Sequence, residues 1–384
     1  MDYMKKITGL ILTMAVVICF QCIGSNISDV YAETEDPKIR IAYNISSEKE
    51  DARFNVFRKN LDILEKMADV EFINIGIQDF GTSNESSVYY VEYAIEQNVD
   101  GLMLCPSSDQ VLPTISRMCA DADVYWGIYF RSISDEEIRE TCEASPYYVG
   151  NICEDEETMG YQITKAASDM GYQNLGIIST GTWDTTGQRR EKGVHRAIEE
   201  TAGMRILENI RDVSSGEDAY EATRSLLTAY PTMDCIILAA ATDGETQNNI
   251  VRAIKDTGKE TGLFTIDFMN GCMEAFDAGI LKAVTGLPKL AIDPYYLALK
   301  ILNVLKGVPL EENSSTQTVP SIMLTDKKEA EQIQSVIEAD DLHFFTEDFI
   351  KNNLFKWNAP ELNGEQFQKI INENIRLTYS KNGN

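Results

Sequence analysis

The chain has 384 residues, 43% of them hydrophobic and 25% charged, a balance that excludes a disordered or fibrous protein and leaves length for two domains with their own cores. With 61 acidic against 34 basic side chains, its formal net charge of −27 excludes proteins that hold nucleic acid or anionic lipid through clustered Lys and Arg.

Lys5 and Lys6 precede an apolar run from Ile7 to about Ile23, and Val30–Ala32 offers small residues for cleavage before Glu33. Residues 1–32 therefore read as an export signal. Lipidation at Cys22 or Cys19 is the alternative, although neither follows the small residue that such processing prefers. No later stretch approaches the roughly 20 apolar residues needed to span a bilayer. The expectation is an exported monomer, periplasmic or extracellular at the cell surface.

"KIRIAYN" (38–44) reads as a strand, followed by a helix over 52–68. "VEFINIG" (70–76), a helix over 85–98, "DGLMLC" (100–105), a helix over 109–121 and "VYWGIYF" (124–130) continue the alternation. Strands apolar on both faces, separated by amphipathic helices, specify a parallel sheet covered on both sides. Beyond the acidic stretch 134–157, whose carboxylates suit solvated faces and helix starts, a second series begins. Its strands lie at 174–180, 205–211, 234–241 and 263–268, with helices near 156–170, 188–202, 217–229 and 245–257. Two similar α/β lobes facing across a cleft fit this rhythm, and ligands of open parallel sheets bind at the carboxyl ends of the strands. From 326 to 384 the alternation gives way to a helical extension, with Phe344, Phe345 and Trp357 as anchors onto the body.

The residues offer little chemistry for an enzyme. Only His195 and His343 are present, in separate segments, so no nucleophile–His–carboxylate set can be assembled. "GTWDTTG" (181–187) lacks the Lys-Ser/Thr of a phosphate loop. Of the six cysteines after the signal, only Cys142 and Cys153 are spaced closely enough for a disulfide, and none matches a zinc pattern. No catalytic residue, metal or cofactor is expected.

Polar and aromatic side chains recur instead at predicted strand ends: Tyr43-Asn44, Tyr129-Phe130-Arg131, Trp183 with Gln188, Thr242-Asp243 and Asp267-Phe268. Carboxylate, guanidinium and amide groups among aromatic faces suit a neutral polyhydroxylated ligand, whose adjacent hydroxyls take paired hydrogen bonds. Singly, each has a structural alternative: Asp267 suits a cap on a helix near Asn270, and Trp183 a core position.

"FTIDFMNGCMEAFDAGILKAVTGLPKLAIDPYYLALKILNVLKG", "DGLMLCPSS" and "RREKGVHRAIEE" resemble segments of the type 1 periplasmic binding proteins, in the ribose/galactose group that serves sugar ABC importers. The resemblance covers about residues 37–325 and implies two Rossmann-like lobes with parallel sheets joined by three hinge segments. It implies lobes of 37–147 plus 288–310 and of 148–287 plus 311–325, with 326–384 as the extension. By resemblance, the family's ligand-binding Asp falls on Asp267, its Arg after the fourth strand on Arg131, and its first-helix aromatic near Phe54. Its Arg ahead of the "RxxGF" helix falls on Gln188, its hinge Gln on Gly286 or Leu287, and its Asn-Asp pair on Thr242-Asp243. Those departures widen the expected ligand from ribose to a sugar or similar small polar molecule. The function implied is capture of that ligand for an ABC permease, or its presentation to a chemoreceptor or sensor kinase.

Overall fold

The computed structural model describes residues 38–44, 52–76, 83–182, 184–241, 245–269, 271–287, 292–337 and 343–380. A first series runs β1 (Ile39–Tyr43), α1 (Ala52–Ala68), β2 (Val70–Asn74), α2 (Asn84–Glu96), β3 (Gly101–Leu104), α3 (Leu112–Asp121), β4 (Tyr125–Phe130), α4 (Glu136–Glu143) and β5 (Tyr148–Glu154). A second repeats it: α5 (Glu156–Asp169), β6 (Asn174–Ile178), α6 (Thr185–Glu199), β7 (Arg205–Ile210), α7 (Gly216–Ala229), β8 (Cys235–Leu238), α8 (Thr246–Thr257), β9 (Gly262–Ile266), α9 (Cys272–Asp277) and β10 (Leu281–Gly286). The chain closes with α10 (Ile292–Leu305), β11 (Ser315–Val319), β12 (Ile322–Leu324), α11 (Lys327–Ile337) and α12 (Gly364–Ser380).

These strands make two six-stranded sheets, ordered β11-β5-β4-β3-β1-β2 and β12-β10-β9-β8-β6-β7. The two orders correspond strand for strand. All neighbours pair in parallel except β10 and β12, which run antiparallel. Period-two alternation sends residues to opposite faces. Ile41, Tyr43 and Met103 face α1 and α10, whereas Ala42, Leu102 and Leu104 face α2 and α3. In the second sheet Ile236 and Leu238 lie on one face and Cys235 and Ile237 on the other. Both sheets are therefore buried on both sides, as their continuous apolar strands require.

Sheet membership departs from the expected lobe limits in two places. Tyr148–Glu154 and Ser315–Val319, expected in the second lobe, both pair in the first sheet, β5 lying between β4 and β11. The backbone thus leaves the first sheet after Glu154, returns after Gly286, and passes over again between Val319 and Ile322.

The C-terminal extension is divided between the lobes. Ala330 and Ile333 of α11 belong to the second lobe's core, whereas Phe344, Phe345, Ile350, Leu354, Phe355, Phe367 and Ile371 belong to the first lobe's. Tyr295 and Tyr296 of α10 meet Phe344 and Phe367 edge-on, with ring centroids 5.2 and 5.7 Å apart. Asn303 donates from Nδ2 to Leu354 O (2.9 Å) and accepts from Lys356 N (2.7 Å). Gln368 accepts from Thr318 N (2.9 Å) and donates to Thr318 O (2.7 Å), which occupies the backbone of an edge strand. Among the described residues six cysteines are present, all buried and free, Cys142 and Cys153 included. Among the described residues no helix is long and apolar enough to cross a membrane.

Candidate functional site

Asp267, directly after β9, has a left-handed backbone (φ 78°), and Phe130, the last residue of the corresponding strand β4, has the same (φ 68°). Positive φ in non-glycine residues carries strain that the surroundings must hold. At Asp267 the hold includes its N–H, which donates to Thr285 O at 2.7 Å. It also depends on Gly286, where a Cβ would stand 3.0 Å from Asp267 Cα. At Phe130 the backbone N–H reaches the buried carboxylate of Asp293 in the first turn of α10. The two half-buried rings that follow from this geometry, Phe130 and Phe268, rest against the cores of opposite lobes.

The helix-cap alternative for Asp267 fails, because α9 starts at Cys272 behind Gly271 with no side-chain cap. The Asp267 carboxylate instead pairs with Arg190: Nη1 donates to Oδ2 at 2.7 Å, with Asp267 39% exposed and Arg190 only 2%. The same guanidinium donates to Ala239 O (3.1 Å) and binds Glu156, itself 1% exposed. This pairing rests on two glycines. A Cβ on Gly160 of α5 would lie 1.9 Å from Arg190 O, and one on Gly193 of α6 2.0 Å from Glu157 O. The helices thus touch backbone to backbone, which brings Glu156 beside Arg190. Asp184 caps α6, accepting from Thr186 N (3.1 Å) and Thr180 Oγ1 (2.7 Å).

Carboxyl groups from both lobes crowd this guanidinium. Burial opposes the charge on Arg190, but Asp267 and Glu156 outweigh it and hold the group above its usual value. Burial pushes Glu156 up to about 7 against the pull of Arg190. Glu154, the last residue of β5, is driven well above the carboxylate range by burial and by the neighbouring Glu156 and Asp267. Burial likewise raises Asp293 to about 7, although its own N–H and that of Phe130 pull the other way. Burial and the neighbouring carboxylates thus favour the protonated, O–H-donating form of Glu154, while the Asp267 carboxylate is half-exposed and held from behind by Arg190.

Arg131, next along from Phe130, donates from Nη1 to Ser107 O at 3.0 Å, and its buried Nε has no partner. Tyr43 and Asn44 are each 1% exposed and committed to the interior of the first lobe. Tyr43 packs edge-on against Phe57 at 5.4 Å, and Asn44 pairs with the Cys105 backbone, accepting from N at 2.9 Å and donating to O at 3.3 Å. Gln188 is exposed on α6 and donates to Thr182 O. Trp183 and Asp243 lie outside the described residues, as does the side chain of Phe54, whose backbone belongs to α1. The structure therefore groups Glu154, Glu156 and Asp267 around Arg190, with Asp267 and Phe268 following β9 in one lobe and Phe130 and Arg131 at the end of β4 in the other.

Arg190 is the residue that sequence reasoning passes over in favour of Gln188. Its signal is present: Thr186, Arg190, Gly193 and Ala197 form the buried stripe of α6 at steps of four, three and four, and Arg190-Glu-Lys-Gly193 keeps the Arg-x-x-Gly spacing.

Residues 42–306 match a family described as periplasmic binding protein domain. No curated protein matches the chain. An ABC transporter periplasmic solute-binding protein from Actinobacillus succinogenes 130z, with bound D-allose, superposes with a TM-score of 0.64 at 20% identity, covering 77% of this chain and 99% of that one. One from Bacillus halodurans C-125, with bound myo-inositol, gives 0.62 at 17% identity, covering 79% and 98%. A Mycobacterium smegmatis protein in complex with β-D-fucofuranose gives 0.60 at 15% identity, covering 79% and 97%. At these identities the likeness is one of fold.

Proposed function

Because the chain belongs to the periplasmic binding protein family, with a type 1 two-lobed fold, we propose that it is an exported solute-binding protein that captures a sugar or similar small polar ligand between its lobes and delivers it to an ABC permease. The observation that carries this reading is Asp267, a half-exposed carboxylate at a strained strand end, anchored from behind by a buried guanidinium. Its free face accepts hydrogen bonds from the ligand's hydroxyls, while Arg190 keeps it oriented, so little side-chain entropy is lost on binding.

Arg131 faces the same ligand from the first lobe and donates to hydroxyl or ring oxygens. Phe130 and Phe268 supply apolar surfaces for the C–H face of a sugar ring, and Phe54, Trp183 and Asp243 complete the proposed set of contacts. Tyr43 and Asn44 take a positioning role, fixing the end of β1 against β3. The ligands named for the similar structures, D-allose, myo-inositol and β-D-fucofuranose, are all neutral and polyhydroxylated, which supports that class. Binding groups on both lobes let the ligand favour the closed arrangement by differential affinity, the crossings after Glu154, after Gly286 and after Val319 serving as hinges.

Residues 1–32 act as the export signal in this reading, and the protein turns over no substrate. A thermal-shift panel of monosaccharides, inositols and polyols on the mature protein tests it. At least one neutral member should raise the melting temperature in a concentration-dependent way; a panel without any such shift contradicts the ligand class.

A further inference from the structure

A cavity of about 320 Å³ lies beside the hinge, and none of the described residues proposed above to touch the sugar lines it. Its walls are Arg139 of α4, Asn151 and Glu154 of β5, Thr316 and Thr318 of β11, and Arg189 at the start of α6. The volume falls in the range of ordinary small-molecule sites, roughly 300–1,000 Å³. Both lobes contribute, since α4, β5 and β11 belong to the first sheet's lobe and α6 packs on α5 in the second.

Four polar groups on this wall are buried without partners, Ser132 Oγ among them. Asn151 is 2% exposed with Oδ1 unsatisfied, Glu154 is 5% exposed with Oε2 unsatisfied, and the Nε of Arg189 has no acceptor. Leaving such a group buried and unpaired is costly unless something in the cavity satisfies it. The wall's other carboxylate, Asp155, is already engaged: it caps α5, accepting from Thr158 N (3.0 Å) and Thr158 Oγ1 (2.6 Å). Arg139 shares its charge with Glu136 and Glu143. Arg189 is therefore the cation left to meet an anion, and the amide, carboxyl and threonine hydroxyls are left to meet hydroxyl groups.

We propose that this hinge-side cavity is a second binding site, for a small hydroxylated carboxylate whose carboxylate sits on Arg189 and whose hydroxyls meet Asn151, Glu154, Thr316 and Thr318. An occupant spans groups from both lobes, so it also biases their relative placement. The matching of a planar guanidinium to a carboxylate supplies the selectivity over uncharged polyols.

Isothermal titration of the full mature protein with D-gluconate, with sorbitol as its uncharged counterpart, tests the site. Gluconate should bind saturably at one site per chain, equally well to the Asp267→Ala variant, and sorbitol should bind that variant, whose cleft has lost its anchor, far more weakly. Arg189→Gln should weaken gluconate roughly ten- to hundredfold, the value of one charge-assisted contact. Thr318→Val, which removes only a hydroxyl, should weaken it less and serves where Arg189→Gln fails to fold. Absence of saturable gluconate binding, equal binding of sorbitol and gluconate to Asp267→Ala, undiminished gluconate binding to both the Arg189→Gln and Thr318→Val variants, or loss of gluconate binding in Asp267→Ala overturns the proposal. The last result would move gluconate into the cleft; a parent protein that binds gluconate but no neutral sugar or polyol would instead count against the function proposed above.

Discussion

Replacing Phe344 by Ala tests whether the C-terminal segment is a structural part of the first lobe. Phe344 is 3% exposed, meets Tyr295 edge-on at 5.2 Å, and lies beside Phe345, which stacks on Tyr295 at 6.2 Å. A phenyl group buries roughly 150–200 Å² of apolar surface, which at ~25 cal/mol per Å² sets about 4–5 kcal/mol as an upper figure. Core Phe-to-Ala replacements cost about 3–5 kcal/mol, so a loss of about 3–4 kcal/mol is expected here. The backbone bond from Phe344 N to Asn60 Oδ1 (2.8 Å) is untouched by the substitution and keeps the segment in register. Urea unfolding followed by tryptophan fluorescence is the assay, because Trp126 reports the interior of β4 and Trp357, stacked on Phe355 at 4.2 Å, reports the segment. In single-tryptophan variants both probes should unfold together in the parent and move together in Phe344→Ala. A loss below about 1 kcal/mol, or a Trp357 transition that precedes that of Trp126, refutes the assignment.

Asp293→Asn gives a pH signature. The carboxyl is raised from its usual 3.8 to about 7 in the fold, so the folded state holds the proton more tightly than the unfolded chain. Its contribution to stability is therefore full below about pH 4, declines as pH rises toward 7, and is flat above. The amide has no such decline, and the Asp293→Asn variant should gain on the parent by about 3 kcal/mol between pH 5 and pH 8, as two units at 1.36 kcal/mol imply; melting curves at the two pH values showing a constant difference would contradict this. Gly193→Ala places a methyl 2.0 Å from Glu157 O. It should cost about 1–3 kcal/mol despite alanine's higher helix propensity, and should weaken ligand binding by displacing Arg190; a neutral melting temperature with unchanged affinity would show that the helices part without consequence.

The alternation of apolar strands and amphipathic helices makes the two lobes readable, because a strand buried on both faces must be apolar throughout. What the alternation does not carry is which sheet a strand joins. "YVGNICE" is as fully buried in the first sheet as it would be in the second, and the polar break that suggests a boundary before it marks instead the start of α4 behind its cap, Asp135. β11 immediately precedes β12, which joins the second sheet, yet pairs with β5, a long-range choice that local pattern cannot reveal.

In the site, Asp267-Phe268 and Phe130-Arg131 are visible as polar interruptions at apolar strand ends. Arg190 is not, because adjacent Arg189 and Arg190 look alike in composition and only the helical stripe distinguishes the buried one. Asn44 shows the converse: a polar residue at a strand end whose purpose is to hydrogen-bond the neighbouring strand's backbone. Glu154 opens an acidic run that composition assigns to solvent, whereas its position at the first crossing buries it.

The central claim is that Asp267, held by Arg190, is the anchor of a small-ligand site between the lobes. Calorimetric titration of the purified mature protein and its Asp267→Ala variant, with the neutral sugar or polyol that most raises the melting temperature, tests it directly. The account predicts one site per chain in the parent and an affinity at least about a hundredfold lower in the variant, the value of a charged hydrogen-bond acceptor serving adjacent hydroxyls. The same affinity in both proteins would contradict it.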